Sequence, residues 1–280
     1  MNKAHAFFEL MRLDKPIGIY LLLWPALLAL IISTGGNFIY SDFLIVVIGS
    51  ILVRSAGCVI NDIWDKDIDG GVERTKLRPI PSKRVSIYES WALFLILGFL
   101  SLILLSLTNA NTIFISFCFS LLIILYPLTK RFLMGPQIFL GLTFNPTIIV
   151  YAMTDELNNS TMIFLYFAIA AMTIAFDTLY GLCDIDDDKK LGINSTPIWW
   201  GSNTLKIVAC FQSMAIFLLL IVGWKAALKF IWFLGVFFLI GFYLHQHHLA
   251  NQKKYFLAFK NNHWASFYLL MLSVLCFLII

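Results

Sequence analysis

Two clusters of carboxylate side chains are the residues of this sequence whose types and spacing best suggest chemistry. The first covers positions 61–69, where Asn61, Asp62, Asp65 and Asp69 are separated by one, three and four residues. On a helix that turns about 100° per residue, the three aspartates lie within about 100° of Asn61. The pattern therefore predicts a set of oxygen ligands on one helix face.

The second cluster covers positions 184–188 and contains Asp184, Asp186, Asp187 and Asp188. Asp184 and Asp188 are four residues apart, a spacing that brings two side chains together on a helix. Each cluster follows a long apolar segment, so we expect it at the C-terminal end of a spanning helix. The helix dipole already makes that end negative, and neighbouring carboxylates repel each other there. A bound cation would remove this repulsion.

Oxygen ligands without histidine or cysteine select a hard cation. Magnesium is commonly held by one or two carboxylates together with the phosphate groups of a substrate. Two carboxylate sets that face each other would bind a diphosphate through bridging Mg²⁺ ions, so the predicted cofactor is Mg²⁺. The alternative is that each cluster is a solvated acidic loop, the usual environment of a run of charges. The presence of two clusters with helical spacing favours the metal site.

Diphosphate oxygens also need direct donors, and basic residues follow both clusters and the fourth apolar segment. Arginine offers a planar fork that matches phosphate, whereas lysine offers a point charge. The candidates are Arg74, Lys76, Arg78, Lys130, Arg131, Lys189 and Lys190. Of these, Lys130 and Arg131 are the first choice. The alternative is that the basic residues only mark the cytoplasmic side of the membrane.

Two ionisable residues lie inside apolar segments, where a charge is rare and indicates function. Arg54 is seven residues before Asn61, and Asp177 is seven residues before Asp184. Each therefore lies two turns, or roughly 10 Å, deeper in the membrane than its cluster and on nearly the same face. Arg54 could bind an acceptor carboxylate and Asp177 an acceptor hydroxyl. Alternatively, the two residues form a buried ion pair with each other.

The elements that carry these residues are membrane helices. Hydrophobic residues make up 60% of the 280-residue chain and charged residues only 13%, which indicates a bilayer as the solvent. Nine apolar runs approach the length that a spanning helix needs. They lie at 16–33, 43–60, 88–107, 112–128, 136–153, 162–183, 205–223, 226–244 and 266–280. The sequence thus predicts an all-α integral membrane protein of nine transmembrane helices, in a single domain over 1–280.

Most of the 20 basic residues fall in alternate loops of this arrangement. Both acidic clusters lie in the same loops. Because positive charge marks the cytoplasmic side of a membrane protein, we expect the N-terminus and the acidic motifs in the cytoplasm and the C-terminus outside. The residues before position 15 have the composition of neither a removable signal nor an organelle presequence.

At Asn61-Asp62-x-x-Asp65-x-x-x-Asp69 and Tyr180-x-x-x-Asp184-x-x-x-Asp188 the sequence resembles the UbiA superfamily of membrane prenyltransferases. Flanking stretches make it similar to the 4-hydroxybenzoate polyprenyltransferase branch of that superfamily. These stretches are 10–18, 54–62, 74–82, 177–180 and 190–196, and the likeness extends from about 7 to 260.

The resemblance implies a bacterial inner-membrane enzyme whose helices surround a central cavity. The implied reaction is Mg²⁺-dependent transfer of a polyprenyl group from polyprenyl diphosphate to 4-hydroxybenzoate, ortho to the hydroxyl, early in ubiquinone biosynthesis. It also implies contact with membrane lipid, no nucleic acid and no obligate protein partner.

Residue roles follow from the matched motifs. The implied metal ligands are Asn61, Asp62, Asp65, Asp69, Asp184 and Asp188. The implied substrate-binding residues are Arg54, Asn61, Lys130, Arg131 and Tyr180. The catalytic candidates are Asp177, Asp184 and Arg131. The sequence departs from the family at Asn145-Pro146 and at Pro197-Ile198-Trp199-Trp200, which bears on the acceptor.

Three alternative functions are weighed against this one. A prenyltransferase for naphthoate, haem or chlorophyll-type acceptors would have the same clusters without needing Arg54. A transporter or Mg²⁺ channel would concentrate its charges near the bilayer midplane between broken helices. Here the charges concentrate at helix ends, which counts against transport. A CDP-alcohol phosphotransferase would need an Asp-Gly-x-x-Ala-Arg signature, which the sequence lacks.

Overall fold

The computed structural model describes residues 3–71 and 75–278, and every regular element in these ranges is helical. The first half of the chain forms α1 (Lys3–Leu10), α2 (Ile17–Ser33), α3 (Tyr40–Trp64), α4 (Lys66–Asp69), α5 (Ile87–Leu105), α6 (Ala110–Thr129), α7 (Pro136–Thr143) and α8 (Thr147–Met153). The second half forms α9 (Thr161–Gly181), α10 (Ile185–Leu191), α11 (Thr196–Trp200), α12 (Thr204–Lys225), α13 (Phe230–Asn251) and α14 (Tyr255–Leu278).

Six helical segments of the described chain are long and apolar enough to cross a membrane. They are Tyr40–Trp64, Ile87–Leu105, Ala110–Thr129, Thr161–Gly181, Thr196–Lys225 and Phe230–Asn251. The prediction of an all-α protein that crosses the membrane several times is confirmed. The predicted count of nine transmembrane helices is not confirmed. The first predicted segment forms a helix of only 17 residues, and the fifth is divided into two short helices.

The fifth predicted segment is interrupted at Asn145-Pro146. Proline lacks an N–H group and disfavours helical geometry in the residue before it. Asn145 Nδ2 donates to the carbonyl of Tyr166 at 2.7 Å, and Asn145 Oδ1 accepts from the N–H of Thr147 at 3.2 Å. The Tyr166 hydroxyl donates to the carbonyl of Leu142 at 2.7 Å. Helix α9 therefore supplies an acceptor for the Asn145 side chain and a donor for the Leu142 carbonyl at the break, which lies between α7 and α8.

Helix α9 lies at the centre of the protein, with 67% of its most apolar stretch buried. It packs most extensively against α12 and also contacts α7, α14, α2 and α8. Alanines at positions 168, 170, 171 and 175 are buried and allow the neighbouring helices to approach closely. In contrast, α5 and α6 expose most of their apolar side chains, as helices that face lipid do. The second acidic cluster thus follows the central helix of the fold.

The first acidic cluster begins in the last turn of α3, as predicted, and continues past the end of that helix. The prediction for the second cluster is wrong: it lies at the start of the separate helix α10, where the helix dipole favours carboxylates, and not at the C-terminal end of α9. Helix α3 ends at Trp64, so Asp65 follows the helix and Asp69 belongs to α4. Helix α9 ends at Gly181, and Asp184 immediately precedes α10. The prediction that positions 61–69 share one helix face therefore holds only as far as Trp64. Beyond that point tertiary contacts decide where the carboxylates lie.

Candidate functional site

The carboxylates of the first cluster are enclosed by the protein. Asp62, Asp65 and Asp69 are 1%, 4% and 5% exposed. Acidic side chains are almost never buried to this degree unless they are paired. The alternative of a solvated acidic loop therefore does not apply to this cluster.

Two arginines bind the first cluster. Both carboxylate oxygens of Asp62 accept from Arg12 Nη2 at 2.8 Å, and Asp62 Oδ1 also accepts from Arg78 Nη1 at 3.1 Å. The same Arg78 nitrogen donates to Asp69 Oδ2 at 2.8 Å. Burial raises the pKa of Asp69, Arg78 opposes this, and the nearby carboxylates of Asp62 and Asp65 raise it further. The negative charge of the cluster is thus only partly compensated by the two arginines.

Asp65 joins the first cluster to the end of α6. Its Oδ2 accepts from Lys130 Nζ at 3.1 Å and from Asn61 Nδ2 at 3.2 Å. Burial by itself lowers the pKa of Lys130, but Asp65, Asp69 and Asp177 together raise it by more, so Lys130 is a cation. Within the described residues, the buried Asp65 Oδ1 has no hydrogen-bond partner. Leaving such an oxygen unsatisfied is costly, and a bound cation would satisfy it.

The second cluster is more accessible to solvent. Asp184, Asp187 and Asp188 are half-buried and Asp186 is exposed. The backbone N–H of Asp188 donates to the carbonyl of Asp184 at 2.8 Å, so these two residues are one helical turn apart, as their spacing predicts. Asp187 contacts the exposed Lys190 at 3.5 Å. This segment therefore presents carboxylates at the surface of the site.

Two contacts show that the acidic segments are neighbours in space. A Cβ atom added to Gly71, just after α4, would lie 3.6 Å from the side chain of Leu191 at the end of α10. The backbone N–H of Asn194, after α10, donates to the carbonyl of Lys130 at 3.1 Å. Because the Lys130 side chain binds Asp65, this one residue connects both segments. These contacts bring the chain that follows the first cluster close to the chain that follows the second, and the facing of the two carboxylate sets stays a prediction.

The described residues, 3–71 and 75–278, contain no group of three His, Cys, Asp or Glu side chains arranged to hold a metal ion by themselves. A Mg²⁺ site that relies on substrate phosphates needs only one or two carboxylates from each segment. The unsatisfied oxygen of Asp65 and the all-oxygen donor set fit such an ion.

The remaining predicted phosphate donors have different surroundings. Arg131 Nη2 donates to the backbone carbonyl of Trp64 at 3.2 Å, which places its positive charge at the C-terminal end of α3. Lys76 and Lys189 are exposed. Arg74 lies outside the described residues.

Arg54 lies deeper in α3 than the acidic cluster, as predicted. Its guanidinium packs against Gly18 of α2 and lies 5.1 Å from the centre of the Phe144 ring. Considering the described residues only, Arg54 forms no salt bridge, and its buried Nε has no hydrogen-bond partner. The alternative of an ion pair between Arg54 and Asp177 is therefore not formed in this structure.

Tyr126 is a residue of the site that the sequence-based assignment missed. The charges of Asp177, Asp65 and Arg54 are close enough to its hydroxyl to interact with it electrostatically. Tyr126 and Lys130 are four residues apart at the end of α6, so they share a face. This four-residue spacing from Lys130, a predicted phosphate donor, is the sequence feature that could have identified Tyr126. Asp177 is likewise within electrostatic range of Lys130.

Aromatic rings form a wall beside Arg54 and the end of α9. The Tyr180 ring lies 4.6 Å from that of Phe259 and 6.5 Å from that of Phe256. Phe176 and Phe259 are 6.1 Å apart, and Phe144 packs against the same cluster. Ring faces attract cations, so this wall can stabilise positive charge. The sequence alone singled out Tyr180 but none of the phenylalanines.

Positions 197–200 support the end of α9. A Cβ atom on Gly181 would lie 3.2 Å from Pro197, and one on Gly135 would lie 3.0 Å from Trp199. Trp200 stacks on Phe211 with ring centres 5.9 Å apart. This departure from the family pattern thus contacts α9, α12 and the residue before α7.

The sequence profile of the UbiA prenyltransferase family matches residues 22–270. A protein of Psychromonas ingrahamii, described as 4-hydroxybenzoate octaprenyltransferase, is 41% identical, covering 95% of this chain and 94% of its own. A protein of Shewanella woodyi with the same description is 37% identical and covers 94% of each chain.

Solved structures share the fold. The apo structure of a UbiA homolog from Aeropyrum pernix K1 superposes with a TM-score of 0.80 at 22% identity, covering 92% of this chain and 96% of that one. A UbiA homolog from Archaeoglobus fulgidus bound to GPP and Mg²⁺ gives 0.71 at 16% identity, covering 94% and 99%. The Archaeoglobus protein bound to Cd²⁺ gives 0.66 at 16% identity, covering 93% and 98%.

Proposed function

Because the chain belongs to the UbiA prenyltransferase family, we propose that it transfers a polyprenyl group from polyprenyl diphosphate to 4-hydroxybenzoate. The new carbon–carbon bond forms ortho to the hydroxyl, in an early step of ubiquinone biosynthesis. The observation that carries this proposal is the arrangement around Lys130. Its side chain binds Asp65 of the first cluster, while its carbonyl binds the loop after the second.

We propose Mg²⁺ as the cofactor, held by Asn61, Asp65, Asp69, Asp184 and Asp188. The unsatisfied Asp65 Oδ1 supports this assignment, as does the Mg²⁺ in the Archaeoglobus structure. When bound, the ion neutralises negative charge on the diphosphate. Asp62 is in the metal set that the resemblance implies. Both of its oxygens accept from Arg12. We therefore propose that Asp62 holds the arginines in position and does not coordinate the metal.

The departing diphosphate accumulates negative charge as its bond to the prenyl carbon breaks. Lys130 is a half-buried cation beside the first cluster and would donate to the diphosphate oxygens. Arg131 and Arg78 are proposed to add donors when substrate is bound, and Asp184 is proposed to act with them at the leaving group. Lys130 and Arg131 follow the end of α6, next to the end of α3 and to the loop after α10.

The acceptor is proposed to bind deeper, with its carboxylate on Arg54 and its hydroxyl near Asp177. The aromatic wall that includes Tyr180 and Phe259 would stabilise the allylic cation before it meets the acceptor ring. A closed cavity excludes water, which would otherwise trap that cation. Loss of the ring proton to a carboxylate or to diphosphate then restores aromaticity.

We further propose that the chain is a single domain of a bacterial inner membrane. The distribution of basic residues supports a cytoplasmic N-terminus, cytoplasmic acidic clusters and an external C-terminus. The substrates are polyprenyl diphosphate and 4-hydroxybenzoate, with membrane lipid around the protein. We propose neither a nucleic acid nor an obligate protein partner.

The reaction is tested with purified protein, Mg²⁺, geranyl diphosphate and a panel of aromatic acids that includes 4-hydroxybenzoate and a hydroxynaphthoate. Mass spectrometry should show one prenyl group added to 4-hydroxybenzoate, with one diphosphate released for each product. Prenylation of the naphthoate alone would assign another acceptor. Metal transport into vesicles without diphosphate release would contradict the enzyme assignment.

A further inference from the structure

The guanidinium of Arg54 occupies the space that a side chain at position 18 would fill. A Cβ atom built on Gly18 would lie 2.5 Å from Arg54 Nε, 2.7 Å from Nη2 and 2.9 Å from Cζ. Such distances are far inside van der Waals contact. The arginine can therefore approach α2 this closely only because residue 18 has no side chain.

Phe144 provides a second contact for the same group. Its ring centre is 5.1 Å from Arg54 Cζ, within the distance at which a ring attracts a cation. Phe144 lies where α7 ends, one residue before Asn145-Pro146, so the helix break sets its position. Arg54 thus contacts α2, which packs against its own helix, and the residue that follows α7.

The contacts with Gly18 and Phe144 provide no hydrogen-bond acceptor for the Arg54 guanidinium. Its Nε is buried and without an acceptor among the residues that the structure describes. A guanidinium donates five hydrogen bonds in a rigid plane, and two neighbouring donors match a carboxylate. Whatever fixes the plane of the guanidinium therefore fixes the direction from which a carboxylate can bind.

We propose that Gly18 is a specificity-determining positioning residue, whose missing side chain sets the guanidinium plane of Arg54 for the carboxylate of the acceptor. This inference rests on the proposed function, in which Arg54 binds that carboxylate. Gly18 acts through Arg54 and touches no substrate itself. A methyl group at position 18 would push the guanidinium aside, because the overlapping atoms end a flexible side chain.

The Gly18→Ala variant tests the proposal. Alanine is a better helix former than glycine, and the displaced group is flexible, so the protein should fold with an unchanged melting temperature in detergent. The KM for 4-hydroxybenzoate should rise by between about tenfold and a hundredfold, as expected for a misplaced binding group. The KM for the prenyl diphosphate should not change.

Gly57→Ala is the matched control, since Gly57 lies on α3, three residues after Arg54. A Cβ atom there would meet only Ile123, at an ordinary contact distance of 3.7 Å. This variant should retain the kinetic constants of the unmodified protein. An equal rise in KM for both alanine variants would overturn the proposal.

A double variant separates this proposal from the proposed function. If Gly18 acts through Arg54, adding Gly18→Ala to Arg54→Ala should not raise the KM for the acceptor further. An additional rise in the double variant would refute action through Arg54. An unchanged acceptor KM in Arg54→Ala would refute the acceptor site itself. A raised KM in Arg54→Ala but not in Gly18→Ala would refute only the role of Gly18.

Discussion

The two acidic clusters are similar in sequence but are held differently by the fold. Asp62, Asp65 and Asp69 of the first are buried and bound by Arg12, Arg78 and Lys130. Helix α10, which carries most of the second, has no buried residue. Buried carboxylates keep their positions without substrate, whereas half-buried or exposed carboxylates have more room to rearrange. We expect the first cluster to be the preorganised half of the site and the second to be the half that adapts.

The largest expected effect is the loss of activity when metal is removed. Both clusters offer only oxygen ligands, so treatment with EDTA should abolish turnover, and Mg²⁺ or Mn²⁺ should restore it. Turnover is measured as diphosphate release. Because the first cluster is held by protein cations, the melting temperature in detergent should change little. Full activity in metal-stripped protein would require a different role for both clusters.

Replacing one aspartate in each cluster by asparagine compares the effects of the two clusters on turnover and on stability. Asp65→Asn and Asp184→Asn should each lower kcat by about 10³-fold or more, since each removes a charge at the metal and diphosphate. Asp65→Asn should also lower the free energy of unfolding, by about 1–3 kcal/mol, because Lys130 loses its buried partner. If either variant kept near-normal turnover at saturating Mg²⁺, the replaced aspartate would not be a metal ligand.

Asp62→Asn tests whether the arginine pairs hold the first cluster in place. It removes the charge that Arg12 and Arg78 share, so we expect a loss of about 3–5 kcal/mol in the free energy of unfolding. Asp187→Asn is the control from the second cluster. Its partner Lys190 is exposed, and the loss should stay below about 1 kcal/mol. Equal losses, measured by thermal or denaturant unfolding in detergent, would remove the contrast between the clusters.

The deeper residues should affect the acceptor rather than the diphosphate. Arg54→Ala should raise the KM for 4-hydroxybenzoate by an amount equivalent to about 2–5 kcal/mol, with little change for the prenyl diphosphate. Asp177→Asn should mainly lower kcat. Since Arg54 packs on Gly18 and Phe144, the double variant should not regain acceptor affinity. Recovery in steady-state kinetics of the double variant would instead indicate a structural ion pair.

The membrane environment, the all-helical class and the family could all be predicted from the sequence. The sequence also predicts where along the chain the chemistry lies. These properties depend on composition and on spacings of a few residues, which a helix converts directly into shared faces. Asp184 and Asp188 are an example, because they are one turn apart in both the prediction and the structure. The depth of Arg54 followed in the same way from its distance to Asn61.

Which charged side chains form pairs depends on the tertiary structure. Arg12 and Asp62 are 50 residues apart in sequence, and Lys130 and Asp65 are 65 apart. Helical spacing says nothing about how separate helices rotate and approach one another, since that depends on side-chain packing across the whole core. For the same reason the sequence could not show that Arg54 packs against Gly18, which has no side chain. Nor could it show that the helix break before Pro146 places the Phe144 ring next to Arg54.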